Sequence, residues 1–140
     1  MDLFSKLKAM KILLIDDDEW IRDSLTLFFE SEGCWLVALE TAEEGIEALD
    51  TKPYDIIVAD YRLPSMDGLE FFRRIQKSHP NAIKVLITAY GSKEVVLEAT
   101  SVGIDDFIDK PFTTETIETC LSRFIEKSEQ KIELSVECSK

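Results

Sequence analysis

IIVADYRLPSMDG, residues 56–68, decides how the rest of the chain is read. Ile56, Ile57, Val58 and Ala59 run without interruption into Asp60, and Pro64 and Gly68 follow within eight positions. An unbroken apolar run of this kind suits a strand covered on both faces. A carboxylate is tolerated at its end only if the strand opens there onto solvent or a cation. Asp60 is therefore placed at the open edge of a sheet, with Pro64 and Gly68 shaping the loop beyond it. Asp67 stands three residues before Glu70, which is capping-box spacing, so it reads as the start of a helix and not as a ligand.

Working outward, KILLI (11–15), WLVAL (35–39), DIIVA (55–59), IKVLI (83–87) and DFI (106–108) read as strands. Segments of helical period lie between them at 18–31, 41–50, 67–78 and 92–102, and another follows at 113–127. Thr41 and Glu44 repeat the capping-box spacing, while Gly33, Gly103 and Pro80 stand where helices should stop. Five strands alternating with five helices predict an α/β domain with a parallel sheet and right-handed crossovers. Residues 1–10 read as an N-terminal extension, 11–127 as the domain, and 128–140 as a tail. Ile132, Leu134 and Val136 alternate in that tail, which leaves a helical extension, an added strand and disorder all open.

Composition bounds the function. A chain of 140 residues, 45% hydrophobic, can bury a core without a metal or disulfide staple. Cys34, Cys120 and Cys138 are odd in number and widely spaced, as reduced thiols of a cytoplasmic protein would be. No apolar run is long enough for a membrane span, and MDLFSKLKAM lacks the core of a signal peptide. A net charge of −12 argues against direct nucleic-acid binding, which draws on clustered Lys and Arg.

In a parallel sheet the ligand site lies beyond the carboxyl ends of the strands. Reading off those ends gives Asp16, Asp17 and Asp18, then Asp60, Thr88, and Lys110 with Pro111; the second strand gives Glu40 and Thr41 and is placed at the sheet edge. Converging carboxylates raise one another's pKa unless a cation lies among them. Lys110 supplies one such charge, and Mg²⁺ suits the oxygen ligands of Asp16 or Asp17 with Asp60. With no histidine or cysteine at these ends, zinc and copper are disfavoured. An aspartate beside a metal and a lysine can attack phosphorus and form an aspartyl phosphate. Each of these residues has an ordinary reading: Asp18 and Asp67 as helix caps, Thr88 as a strand-end hydroxyl, Lys-Pro as a turn. Their joint placement is what carries information.

ILLIDDD, VADYRLPSMDG, VLITA and DFIDKPF occur in order, and with them residues 11 to about 126 resemble the receiver domain of two-component response regulators. The resemblance implies a flavodoxin-like three-layer fold, a five-stranded parallel sheet of order 2-1-3-4-5 with five helices, for which a chemotaxis receiver is a standard example. It implies that Asp60 accepts a phosphoryl group from a sensor histidine kinase or phosphotransfer protein. Mg²⁺ (or Mn²⁺) would sit on Asp16, Asp17, Asp60 and the backbone carbonyl of Arg62. Thr88 and Lys110 would hold the phosphate, Phe107 would pair with Thr88 as the conformational switch, and Lys110–Pro111 would be cis. The responding surface would be formed by the fourth helix, fifth strand and fifth helix. Its partners would be a downstream effector and a phosphorylation-dependent second copy.

Three further expectations come from individual residues. Leu97 lies opposite Val95, Ala99 and Val102 on its helical wheel and is read as part of a partner surface. Arg62 and Tyr90, each two positions past a site residue, are large enough to obstruct a hydrolytic water and so to slow dephosphorylation. His79 is read as a solvated loop residue away from the site. The rival from another class is a haloacid-dehalogenase-like phosphatase using Asp16 and Asp18, against which stands Trp20, where that family expects Thr or Val. A flavodoxin is disfavoured by three carboxylates where its phosphate loop needs hydroxyls, and a phosphate-free binding module by the intact Asp, Thr and Lys set.

Overall fold

The computed structural model describes the backbone of residues 3–89 and 93–138, and the side chains of 3–89 and 95–126. Five strands form one parallel sheet: β1 (Lys11–Ile15), β2 (Trp35–Leu39), β3 (Ile56–Asp60), β4 (Ile83–Thr88) and β5 (Asp106–Asp109), in the order β2-β1-β3-β4-β5. The helices are α1 (Leu3–Leu7), α2 (Glu19–Ser31), α3 (Ala42–Thr51), α4 (Gly68–Ile75), α5 (Lys93–Ser101) and α6 (Thr114–Cys138). This is the flavodoxin-like arrangement, with six helices where the sequence indicated five.

Alternation along the strands separates two cores. Ile12, Leu14, Ile56, Val58, Val85 and Ile87 face α1, α2 and α6, where Leu7, Leu25, Phe29, Ile117, Leu121 and Ile125 meet them. Leu13, Ile15, Ile57, Ala59 and Leu86 face α3, α4 and α5, against Leu49, Phe71, Phe72, Ala99 and Val102. Both faces of β3 are covered, which is why all five of its residues are buried. β2 lies at an edge and buries only Leu36 fully.

Local chemistry sets the boundaries. Asp18, Thr41 and Asp67 cap α2, α3 and α4 by accepting from the N–H groups of Trp20, Glu44 and Glu70. Gly33 and Gly103 end α2 and α5 at φ +77° and +83°, left-handed values that favour glycine. Asp60 and Thr88 are themselves the last residues of β3 and β4, because pairing continues through Asp60↔Ile87 and Thr88↔Asp109.

One region differs from the sequence reading, and in another the structure selects among the alternatives left open. Residues 3–7, taken only as an extension, form α1, with Leu7 wholly buried and the Phe4 ring edge-on to Phe28 at 5.7 Å. The tail continues α6 without a break to Cys138, a helical extension and not an added strand. Cys34 and Cys120 are buried and unpaired; burial first, then the Asp106 carboxylate, pushes the Cys120 thiol up to about 12. His79 is half-buried, and its carbonyl accepts from the Lys84 ammonium at 2.7 Å, so it is less solvated than expected.

Candidate functional site

Three parallel strands deliver their terminal side chains to one place. Asp16 follows β1, Asp60 ends β3, and Lys110 follows β5. Carboxylate oxygens of Asp16, Asp17 and Asp60 lie within 4.8 Å of one another. Asp16 is completely buried and Asp60 is 4% exposed, while Asp17 faces solvent. The Lys110 Nζ donates to Asp60 Oδ2 at 2.8 Å and stands 3.4 Å from Asp16 Oδ2. The first is a hydrogen-bonded ion pair; the second is close enough for attraction only.

The electrostatics are unbalanced. Three carboxylates face one ammonium, a local charge of −3 + 1 = −2 when all are ionised. Burial, with Asp60 adding repulsion, raises the Asp16 carboxyl to about 6, although the Asp18 N–H and Lys110 act against the rise. Burial pulls the Lys110 ammonium down, but its hydrogen bond to Asp60 and the two carboxylates outweigh that, and its pKa is raised overall. Among the described residues, Asp16 Oδ2 is the buried side-chain oxygen left without a hydrogen bond. A buried oxygen with no hydrogen bond, held only by the longer ion pair to Lys110 and lying beside two further carboxylates, fits a hard divalent cation such as Mg²⁺.

The loop after β3 is held close to the strand it leaves. The Gly68 N–H donates to Tyr61 O at 2.8 Å, and a Cβ on Gly68 would stand 2.3 Å from Asp60 O. Only glycine permits that approach, which brings the start of α4 against the residue carrying the acidic side chain. Thr88 is 2% exposed, and its carbonyl accepts from the Lys110 N–H at 2.9 Å, tying the ends of β4 and β5 together. The Lys110–Pro111 peptide is cis. Phe107, on β5, is half-buried against the α3–α5 side. Arg62 is exposed in the loop. Tyr90 lies outside the described residues.

Asp18 does not join the cluster. Its Oδ1 accepts from the Trp20 N–H at 2.9 Å, so the residue is committed to capping α2. A phosphatase scheme that pairs Asp16 with Asp18 is therefore not favoured. Sequence reasoning missed Arg22, whose Nη1 donates to Asp16 O at 2.9 Å. Its position six residues after Asp16, one turn into a helix, is ordinary for a solvated cation and gave no signal.

The chain matches the model of the response regulator receiver domain over residues 12–122 and belongs to that family. It is therefore a receiver domain of two-component signalling. It is 32% identical to the transcriptional regulatory protein GlrR of Escherichia coli (strain K12), over 86% of this chain and 27% of GlrR. It is 29% identical to the transcriptional regulatory protein FixJ of Bradyrhizobium diazoefficiens, over 84% of this chain and 58% of FixJ. Among solved structures, a CheY-like receiver domain protein of Methanospirillum hungatei JF-1 superposes with a TM-score of 0.82 at 28% identity, covering 87% of this chain and 98% of that one. The chain thus spans about a quarter of GlrR and somewhat over half of FixJ.

Proposed function

We propose that Asp60 accepts a phosphoryl group from the phosphohistidine of a sensor histidine kinase or a phosphotransfer protein in a Mg²⁺-dependent reaction. The observation that carries this reading is the cluster of Asp16, Asp17 and Asp60, with Lys110 paired to Asp16 and Asp60 and one buried carboxylate oxygen without a hydrogen bond. A carboxylate oxygen of Asp60 attacks phosphorus, the P–N bond breaks, and its electron pair stays on the imidazole nitrogen. Lys110, already on Asp60, is placed to follow negative charge onto the phosphoryl oxygens, and the Thr88 hydroxyl takes a second oxygen. Bound Mg²⁺, or Mn²⁺ in its place, would be held by Asp16, Asp17, Asp60 and the Arg62 carbonyl and would neutralise the nonbridging oxygens. The chain then catalyses only its own phosphorylation and dephosphorylation.

Thr88 and Phe107 form the switch in this reading: the hydroxyl moves toward the phosphate, the ring turns inward, and the surface of α5, β5 and α6 is reshaped. That surface carries Leu97, 72% exposed, while Ala99 on the same helix and Val102 just after it are buried. We place Leu97 in a contact with a downstream effector or a second copy; association unchanged in Leu97→Ser would rule it out. Arg62 and Tyr90 slow hydrolysis by obstructing water. The receiver unit is placed at 11–127, with 1–10 before it and 128–140 after it. Relatives such as NtrC of Escherichia coli are described as DNA-binding transcriptional regulators. With a charge of −12, this chain is assigned no direct nucleic-acid or membrane contact of its own and a cytoplasmic location. Among the described residues no helix is long and apolar enough to cross a membrane.

The test is to incubate the chain with Mg²⁺ and a small acyl phosphate and to map the labelled aspartate. Label on Asp60, lost in Asp60→Asn and in chelator, is expected. Label on Asp16 in place of Asp60 would support phosphatase-type chemistry instead.

A further inference from the structure

We propose that Arg22 is a positioning residue for the cation site, acting through the peptide unit that joins Asp16 to Asp17. The inference rests on the metal reading given above. Pairing between β1 and β2 ends at Ile15↔Leu39, and Asp16 extends it by a single bond, its N–H donating to Leu39 O at 3.0 Å. In a parallel ladder the Asp16 carbonyl would next accept from the Thr41 N–H. β2 stops at Leu39, however, and Thr41 serves as the cap of α3. The carbonyl is taken instead by the Arg22 guanidinium, Nη1 to O at 2.9 Å. Arg22 is well anchored for this, since its own N–H closes the first turn of α2 on Asp18 O at 3.1 Å.

Asp16 is thereby held from three directions. Its N–H goes to β2, its Oδ1 accepts from the Asp18 N–H at 2.9 Å, and its carbonyl goes to Arg22. The oxygen left over, Oδ2, is the one that faces Asp60 and Lys110. Asp17 is different: it is exposed, and it carries the same charge as its two neighbours. Repulsion drives it toward solvent, and turning the 16–17 peptide plane is the easy way out. That plane is rigid, so fixing its carbonyl also fixes the direction in which Asp17 leaves the strand. Because the guanidinium binds a carbonyl and not a carboxylate, it orders the acidic pair without occupying an oxygen that a cation needs.

Removing a partner that orients a metal ligand commonly lowers metal affinity about 10- to 100-fold. The experiment is calorimetric titration of Mg²⁺ into the full chain, its Arg22→Met variant and its Arg22→Lys variant, each checked for fold by thermal melting in chelator. Arg22→Met keeps the aliphatic stem and is expected to raise the Mg²⁺ dissociation constant about tenfold. Arg22→Lys, with the charge and one donor, should fall between the two, and it carries the test if the methionine variant does not fold. The loss should persist in 0.5 M KCl, about where a long-range field would be screened but a short hydrogen bond would not. Natural affinity in the variants, or a loss that disappears at high salt, overturns the proposal. A natural chain that binds no Mg²⁺ overturns the metal reading itself, and this one with it.

Discussion

The two ends of the sheet treat buried charge in opposite ways. At the amino ends of the strands, Lys84 is 3% exposed, but its Nζ donates to His79 O at 2.7 Å and to Ala82 O at 3.4 Å. Asp105 accepts from the Lys84 N–H and Asp55 from the Lys11 N–H, both at 2.8 Å, so strand starts are closed by carboxylates. At the carboxyl ends, three acids cluster, one lysine pairs with two of them, and a buried oxygen has no hydrogen bond. The first end spends its polar groups on holding the fold. The second keeps unmet electrostatic demand, which is what a cation can satisfy.

The contrast can be broken most directly at Asp16. Its carboxyl is raised from 3.8 to about 6, so between those values the folded chain binds more protons than the unfolded one. Stability from this group is therefore present at low pH and lost as pH rises through that window. In chelator, Asp16→Asn should be more stable than the natural chain by about 1 kcal/mol at pH 4.5 and about 3 kcal/mol at pH 7.5. Urea unfolding at the two pH values measures this, and excess Mg²⁺ should close the gap at pH 7.5. Equal differences at both pH values would show that Asp16 carries no such demand.

Lys84→Met probes the other end with a smaller effect. It leaves two carbonyls without their cation and should cost about 2 kcal/mol, with Mg²⁺ affinity unchanged. A change in Mg²⁺ affinity would mean that the two ends are coupled through β4. The smallest effect is expected at Ser65, which holds φ +68° in the loop after Asp60. Ser65→Gly relieves that backbone and should raise stability by about 0.5–1 kcal/mol. If it also weakens Mg²⁺ binding, the strain belongs to the site and not merely to the turn.

Most of the architecture was legible because burial on both faces writes continuous apolar strands and helical period writes the covering helices. The acidic cluster and Lys110 were legible through topology, which converts strand ends into a place. What escaped depended on three-dimensional partners. LFSKL is too short to show a helical period, and it folds because Leu7 finds a closed pocket among β1, α2 and α6. The tail's alternation left strand and helix both open, and it extends α6 to Cys138. Arg22 was invisible because a carbonyl partner leaves no trace in sequence.

The length of α6 has a mechanical consequence. Its 25 residues make a rod about 37 Å long, and the part after Ile125, the last core residue of α6 among the described side chains, adds about 20 Å. α1 packs against this helix. A tilt of about 10° about Ile125 would carry the far end through about 3 Å at a rise of 1.5 Å per residue. A rearrangement too small to notice at β5 would thus emerge from the domain as a displacement the size of a lost or gained side-chain contact.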